Sequence, residues 1–411
     1  MSTTLIHHIK QLVQVHHEIP SVVKGAAMKH LPQLENAWLL VEEDRIKDFG
    51  PMASCPERAD VSIDAKGGMI FPSWCDSHTH LVFAASREGE FVDKINGLSY
   101  AEIAAKGGGI LNSARRLRDM PEQALFESAM GRLKEVAHYG TGAIEIKSGY
   151  GLSVEGELKM LRVIRRLKEN SLLTIKATFL GAHALPMEYR ENREGYIKLI
   201  LEEILPVIAG EGLADYIDAF CEKGFFSPEE TSRIIEAGAK YGLKAKIHTN
   251  QFNSMGGIEA SVNGGALSVD HLEVINEAEI ACLAGSNTLP VLLPSAPFFL
   301  NDPFPPARKL IEAGLPVVLA TDYNPGSSPS GKMSFVLSLA CIKMKMLPEE
   351  AVNAATINGA YAMELEAEHG SIRRGNFANF FITKPMPSVA YMPYAFGSDV
   401  VDRAFVRGME V

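Results

Sequence analysis

The sequence lacks the features that mark secreted and membrane-bound proteins. Its five cysteines are scattered through 411 residues without a Cys-x-x-Cys pair, a usage typical of reduced thiols that pack as small hydrophobic side chains. No apolar run approaches the roughly 18 residues that a membrane-spanning helix needs. The N-terminal stretch is rich in histidine and lacks the apolar core of a signal peptide. These absences predict a globular protein of the cytoplasm.

A basic footprint is also absent. The net charge is −10 at pH 7, and acidic and basic residues are spread along the chain without a block of either sign. Nucleic acids and anionic membrane surfaces both attract clustered Lys and Arg, so neither is expected as a partner. A hydrophobic fraction of 46% and a charged fraction of 22% suit a large globular core.

From residue 69 onward, short apolar runs alternate with helical patterns. The runs that predict strands are 69–75, 142–147, 173–179, 216–220, 243–248, 267–270, 289–293 and 316–321. Eight such strands, most of them separated by helices, favour the α/β class and a closed (β/α)₈ barrel of the TIM type. An open, doubly wound sheet is the alternative, but the Gly-rich phosphate loop of that fold is missing after the first strand.

Both ends of the chain predict small strands outside the barrel. Residues 1–66 contain short apolar runs broken by polar turns, and the pattern of residues 370–382 predicts extended segments. We expect 1–66 and 365–411 to form one small composite β-sandwich domain. The barrel domain would then cover 67–364.

Metal-capable side chains stand where the strand-like runs end. The first run leads into His78-Thr-His80, and residues two apart on a strand point to the same face. His248 and His271 end two later runs, and Asp322 follows the last. Because the carboxyl ends of barrel strands meet at one face, these side chains are expected to converge. Imidazoles with one carboxylate suit Zn²⁺ or Fe²⁺, although each residue alone is more often structural.

This pattern resembles the amidohydrolase superfamily, in which histidines follow strands one, five and six and an aspartate follows strand eight. Within it, the chain is similar to the imidazolonepropionase family. The similarity is carried by His78-Thr-His-Leu-Val-Phe83, Gly107-Gly-Gly-Ile110, Glu145-Ile-Lys-Ser-Gly-Tyr-Gly151, Thr178-Phe-Leu-Gly-Ala-His-Ala184, Asp270-His-Leu-Glu273 and Ala320-Thr-Asp-Tyr-Asn-Pro-Gly326. The resemblance implies hydrolytic ring opening of 4-imidazolone-5-propanoate to N-formimidoyl-L-glutamate, a step of histidine degradation.

The resemblance also implies a mononuclear metal centre. One Zn²⁺ or Fe ion per chain would be held by His78, His80, His248 and Asp322. Many superfamily members carry a carboxylated lysine at the tip of strand four, which bridges two metals. No lysine stands at that tip here, and Lys147, at the end of strand two, is expected to be an ion-pair residue.

Catalytic roles follow from the same resemblance. A bound ion lowers the pKa of water and polarises the ring carbonyl. Asp322 would take the water proton and pass it to the departing ring nitrogen, while His271 would hydrogen-bond the attacking hydroxide or the developing oxyanion. Gln251 occupies the position of a proton-shuttling Glu in cytosine and guanine deaminases. Because Gln cannot carry a proton, it is expected to orient the ring, and a part in proton transfer is left open.

Arg87 is the expected partner of the substrate's propionate, since a planar guanidinium matches a carboxylate. From the residue alone, a surface ion pair with Glu88 or Glu90 is the simpler interpretation. His183 matches a substrate-contacting histidine of the family, and Tyr150 and Gln251 are further expected contacts. Asn324, Gly326 and Ser327 follow Asp322 in a turn that offers N–H groups, an amide and a hydroxyl to substrate, although simple turn chemistry also explains these residues. Tyr100 and the glycines 107–109 are further candidates whose roles are left open.

Other functions stay compatible with the sequence. Another mononuclear amidohydrolase, such as an aromatic deaminase or a cyclic ureide hydrolase, would use the same ligands. A barrel that serves only as a scaffold is the non-enzymatic alternative, which the complete ligand set disfavours. The expected partner is a small-molecule substrate. Three histidines and one aspartate accept either Zn²⁺ or Fe, and a homodimer is a family expectation only.

Overall fold

The structure, a computed structural model, describes residues 2–98, 102 and 108–411. Tyr100 and Gly107 lie outside the described residues. Strands are numbered in chain order, and those of the described chain fall into two sheets. The N-terminal part supplies β1 (Thr3–Val13), β2 (Gln33–Glu42), β3 (Arg45–Pro51), β4 (Val61–Asp64) and β5 (Ile70–Pro72).

Within the described chain, the second sheet consists of eight parallel strands. They are β6 (Trp74–Asp76), β7 (Thr141–Lys147), β8 (Thr174–Ala182), β9 (Tyr216–Cys221), β10 (Lys244–Thr249), β11 (Ser268–His271), β12 (Leu289–Leu292) and β13 (Val318–Leu319). Each strand pairs with the next along the chain. Beyond β6 and β13, a parallel bridge joins Thr79 to Tyr323, and the Asp322 N–H donates to the His78 carbonyl over 3.0 Å. The predicted (β/α)₈ barrel is confirmed.

The C-terminal part returns to the first sheet as β14 (Phe380–Thr383), β15 (Val401–Val406) and β16 (Met409–Glu410). The strand order there is β16-β15-β14-β5-β1-β2-β3, with β4 paired to β1. Apolar side chains from both chain ends, including Ile9, Leu39 and Phe405, share one buried cluster. Both termini therefore build one β unit beside the barrel, as the sequence predicted. The exact division into 1–66 plus 365–411 and 67–364 stays a prediction.

Helices surround the barrel because they bury one apolar face. In Glu122–His138, for example, Leu125, Ala129, Leu133 and Val136 are buried, the spacing of one helical face. The helices span Glu88–Ile95, Ile110–Asp119, Glu122–His138, Val154–Asn170, Arg193–Lys198, Leu205–Glu211, Pro228–Ala239, Gly257–Asn263, Glu277–Ala284, Ser295–Leu300, Ala307–Glu312, Met333–Met344, Pro348–Ala355, Ile357–Tyr361 and Tyr391–Tyr394. Among the described helices, none combines the length and the apolar character that crossing a membrane requires.

The prediction of a single strand over 69–75 was wrong. Ile70–Pro72 pairs with β1 and β14 of the terminal sheet, whereas Trp74–Asp76 pairs with β7 of the barrel. Pro72 has no N–H to extend a ladder, and the Ser73 N–H donates to the Asn379 carbonyl over 3.0 Å. The chain changes sheets at Ser73, so the strand that leads to the histidine pair is anchored in both sheets.

Candidate active site

Four metal-capable side chains converge at the carboxyl end of the barrel. The Nε2 atoms of His80 and His248 lie 3.3 Å apart. Oδ1 of Asp322 lies 3.5 Å from Nε2 of His80 and 3.6 Å from Nε2 of His78. Each of these side chains is buried. The ligating atoms of His78, His80 and Asp322 lie within 4.8 Å of one another, and so do those of His78, His248 and His271. The two groups share His78 and surround a common point beside it.

The donor set fits a metal ion. Nε2 of His78 is buried and has no hydrogen-bond partner among the described residues. Burial lowers the pKa values of His78, His80 and His248 well below the ordinary value, so the rings are neutral and offer lone pairs. Atoms bonded tetrahedrally to one ion at 2.0–2.1 Å lie about 3.4 Å apart. The observed separations of 3.3 to 3.6 Å match that geometry.

Two carboxylates orient the histidines from behind. Nδ1 of His78 donates to Oδ2 of Asp270 over 2.6 Å, and Nδ1 of His248 donates to Oδ2 of Asp218 over 2.7 Å. These bonds place the proton on Nδ1 and turn Nε2 toward the common point, as such partners do in metal sites. Sequence reasoning gave neither carboxylate a role. A lone Asp inside the apolar strand Tyr216–Cys221 was the available signal, because a buried carboxylate needs a partner.

A buried lysine lies beneath these carboxylates. Nζ of Lys147 is 2.7 Å from Oε1 of Glu145, 2.9 Å from Oδ2 of Asp218 and 3.8 Å from Oδ2 of Asp270. Burial by itself would lower the pKa of Lys147, but Asp218 and Glu145 outweigh it and raise that pKa above the ordinary value. Lys147 is therefore a permanent cation that compensates the carboxylates behind the histidines.

His271 and Asp322 face the same point with coupled charges. His271 ends β11 with φ 94°, and Nδ1 of its ring bonds Oε1 of Glu273 over 3.2 Å. Burial acts to lower the pKa of His271, but Glu273 overcomes it and raises that pKa. Burial raises the pKa of Asp322 to about 7. A ring nitrogen of His271 also groups with those of His78 and His248, so the imidazole reaches the ligand cluster itself.

A cavity of about 410 Å³ opens onto the cluster. All residues predicted to contact substrate line it, namely Arg87, Tyr150, His183, Gln251, Asn324, Gly326 and Ser327. The structure thus brings together residues from loops far apart in sequence. Their individual roles stay predictions.

The turn after β13 is held by one side chain. Oδ1 of Asn324 accepts hydrogen bonds from the N–H groups of Gly326 and Ser327, over 2.7 and 2.8 Å. Oγ of Ser327 lies 3.4 Å from Oδ2 of Asp322. A Cβ atom at Gly326 would overlap the Arg87 guanidinium. Glycine at this position therefore leaves room for the guanidinium to lie directly against the backbone.

Arg87 lines the cavity and also forms the ion pair with Glu90 that its sequence position suggested. Its side chain lines the cavity and is 11% exposed, and its Nε lies 3.3 Å from Oε2 of Glu90. The rings of His183 and Tyr150 line the same cavity, with their centroids 5.4 Å apart. Nδ1 of His183 donates to the Gly149 carbonyl over 2.9 Å, and burial lowers the pKa of His183 to about 4. A neutral His183 can donate to or accept from a bound ring.

Sequence reasoning missed the apolar wall of the cavity. Phe220, Phe225 and Phe252 line one side of it, and the rings of Phe220 and Phe225 are 4.5 Å apart. Phe220 ends an apolar strand and carried no signal that separates a cavity wall from core. Aromatic rings and a guanidinium that line one cavity suit a flat ring that carries an anionic tail.

The fold and the site define a metal-dependent amidohydrolase. The sequence profile of the Amidohydrolase family matches residues 69–411. Two proteins named imidazolonepropionase, from Christiangramia forsetii and Flavobacterium johnsoniae, are each 57% identical to this chain, covering 99% and 98% of it and 99% of their own lengths. The chain therefore belongs to the amidohydrolase family, in its imidazolonepropionase branch, and the resemblance drawn from its motifs is confirmed.

Solved structures agree on the fold. E. coli guanine deaminase superimposes with a TM-score of 0.74 at 15% identity, covering 100% of this chain and 99% of that one. A triazine hydrolase variant gives a TM-score of 0.74 at 16% identity, covering 99% and 94%. At such identities these likenesses establish the barrel architecture alone.

Proposed function

We propose that this protein hydrolyses the cyclic C–N bond of 4-imidazolone-5-propanoate and releases N-formimidoyl-L-glutamate. The observation that carries the proposal is the 57% identity to proteins named imidazolonepropionase over nearly the full chain. The cavity supports it, because its lining combines the histidine and aspartate cluster with Arg87 and with aromatic rings, of which that of Phe220 lies 5.9 Å from the ring of His248. A flat ring with a propionate tail matches that distribution of charge.

We further propose that one ion, Zn²⁺ or Fe, is held by His78, His80, His248 and Asp322. The convergence of their ligating atoms supports this set, and the absence of a lysine at the tip of β9 favours one ion over two. When bound, the ion supplies Lewis-acid chemistry, which acidifies water and polarises the ring carbonyl. His271, whose ring also reaches the cluster, is assigned to substrate because the family resemblance gives it that role.

The remaining chemistry is assigned to the chain's own side chains. Oδ1 of Asp322 faces the histidines, so Oδ2 receives the proton of the attacking water and delivers it to the ring nitrogen as the C–N bond breaks. His271, with its raised pKa, donates a hydrogen bond to the oxyanion that forms at the carbonyl.

The residues that line the cavity bind the substrate and orient it. The Arg87 guanidinium binds the propionate in a two-pronged contact, and the close approach of Gly326 fixes where that contact forms. Gln251 and the neutral His183 orient the ring through hydrogen bonds, and Tyr150 borders the same face. Asn324 and Ser327 hold the loop that carries Asp322.

The assay that tests this function separates ring opening from deamination. Purified protein should abolish the ultraviolet absorbance of 4-imidazolone-5-propanoate without releasing ammonia. Release of ammonia from guanine or cytosine at comparable rates would overturn the proposal. We also propose that the chain works as a homodimer in the cytoplasm, where its unpaired cysteines stay reduced. A sedimentation experiment that gives a monomer at micromolar concentration would contradict the dimer.

A further inference from the structure

Two neighbouring histidines of β1 present their rings on the same side of the sheet. Consecutive residues of a strand normally point to opposite faces, yet the Nδ1 atoms of His7 and His8 are 3.1 Å apart. The cause is a β-bulge. Ile6 pairs with Leu39 and Ile9 pairs with Ala37, so two histidines stand opposite one residue of β2.

The backbone at the bulge is in the left-handed region, with φ 53° at His8. This conformation is uncommon for a residue other than glycine. It is what turns the second imidazole back toward the first. The two rings therefore meet edge to face, with their centroids 4.5 Å apart.

A carboxylate completes the group. Asp64 of β4 stands in register with His7 of β1, and its Oδ1 lies 3.2 Å from Nδ1 of His8. Nε2 of His7 lies 3.0 Å from Oγ of Ser62. When His7 donates through Nε2 to that hydroxyl, the lone pair of its Nδ1 points at His8 and Asp64. The carboxylates behind the ligand histidines of the barrel orient those rings in the same way.

We propose that His7, His8 and Asp64 form a second metal site, which takes a divalent transition ion such as Zn²⁺, Ni²⁺ or Cu²⁺. Two imidazoles and a carboxylate are a common donor set for these ions. Two of the separations are 3.1 and 3.2 Å, and all three atoms lie within 4.8 Å of one another, close enough for one ion to bind all three. The side chains of His8 and Asp64 are 58% and 45% exposed, so an ion can enter from solvent and keep water in its remaining positions.

The site would act on the terminal sheet rather than on the barrel chemistry. None of its residues lines the cavity of about 410 Å³. Strand β4 lies off the main strand path and pairs with β1. An ion shared by the two strands would fasten β4 in place, and we expect added Zn²⁺ to raise the melting temperature of the holoenzyme.

The test is a metal titration of holoenzyme whose barrel site is already filled. Isothermal titration with Ni²⁺ should show one more bound equivalent in the parent protein than in His8→Asn or Asp64→Asn. Asparagine at residue 8 tolerates the left-handed backbone, so the bulge is retained. His30→Asn removes another exposed histidine of the terminal region and should keep the extra equivalent.

Retention of untagged protein on immobilised Ni²⁺ gives a second readout. The parent and His30→Asn should elute together, and His8→Asn should elute earlier. Turnover should be the same in every variant, which shows that each protein is folded and that its barrel site is loaded. Equal Ni²⁺ stoichiometry and equal retention of the parent, His8→Asn and Asp64→Asn would overturn the proposal.

Discussion

Nζ of Lys147 lies 2.9 Å from Oδ2 of Asp218, and the same oxygen accepts a hydrogen bond from Nδ1 of His248 over 2.7 Å. The fully buried ammonium of Lys147 is thus linked through a single carboxylate, that of Asp218, to the proposed metal ligand His248. Carboxylates in a dry interior are stable as anions only when cations or donors compensate them. The position of His248 therefore depends on a lysine that never reaches the cavity.

Replacing Lys147 with Met should damage both stability and metal binding. The substitution leaves Asp218 buried without its lysine and leaves Glu145 with Lys246 alone, at 3.0 Å, and breaking such a buried pair costs about 3–5 kcal/mol. We expect a lower free energy of unfolding and less metal per chain after gentle purification. Lys176→Met is the matched control, because Lys176 pairs with Asp215 over 3.4 Å at a partly exposed position and should cost at most about 1 kcal/mol. Equal losses in the two variants would remove the special role of Lys147.

Asp322→Asn should lower kcat by about 10²–10⁴-fold, the range for loss of a proton-transfer group. An amide cannot accept the water proton and is a weaker ligand than a carboxylate. The measurement is steady-state turnover together with metal content, so that loss of the ion and loss of the base are separated. Asp302→Asn changes another acid that lines the cavity and should keep most of the activity. Near-normal turnover of Asp322→Asn would exclude the residue from the mechanism.

Arg87→Ala should raise KM while metal content stays constant, because the guanidinium is assigned to the propionate. Arg87→Lys should recover only part of the affinity, since an ammonium cannot form the two-pronged contact. Arg116→Ala is the control, because Arg116 donates to the Ser86 carbonyl at an exposed position. An unchanged KM for Arg87→Ala would assign Arg87 to its ion pair with Glu90 instead.

His369→Gln should make stability less sensitive to acid. Burial lowers the pKa of His369 to about 4, below the value of about 6.5 for an unfolded chain. As the pH falls from about 6.5 to 4, His369 binds a proton in the unfolded state but stays neutral in the folded state. The free energy of unfolding therefore falls by on the order of 3 kcal/mol between these two pH values.

Denaturant unfolding across that pH range measures this effect. Glutamine can still accept the hydrogen bond that Nδ2 of Asn379 donates to His369 and does not titrate. The variant should therefore show a shallower fall in the free energy of unfolding than the parent. His138→Gln, at an exposed histidine, should follow the parent. Identical slopes for His369→Gln and the parent would contradict the prediction.

Much of the barrel could be predicted because its signals are local. Apolar runs mark strands, and polar residues that end those runs mark the carboxyl face, so His78, His80, His248, His271 and Asp322 were found as candidates from position. The family resemblance then selected four of them as ligands. The carboxylates behind them were not found, and Lys147 was expected to form an ion pair without a named partner. Asp218 and Lys147 are ordinary residues until the closure of the barrel buries them side by side, because the need for compensation appears only when water is removed.

The sequence by itself determined the alternation of strands and helices, the candidate ligands and the family. Tertiary structure alone decided that the chain changes sheets at Ser73. Pro72 ends a strand of the terminal sheet, and Ser73 donates to the Asn379 carbonyl, only once both chain ends have packed together. It also decided that His7 and His8 share one side of a strand, against the period-two rule, because the bulge depends on the register with β2. Periodicity is encoded along the chain, whereas register and burial are properties of segments that meet.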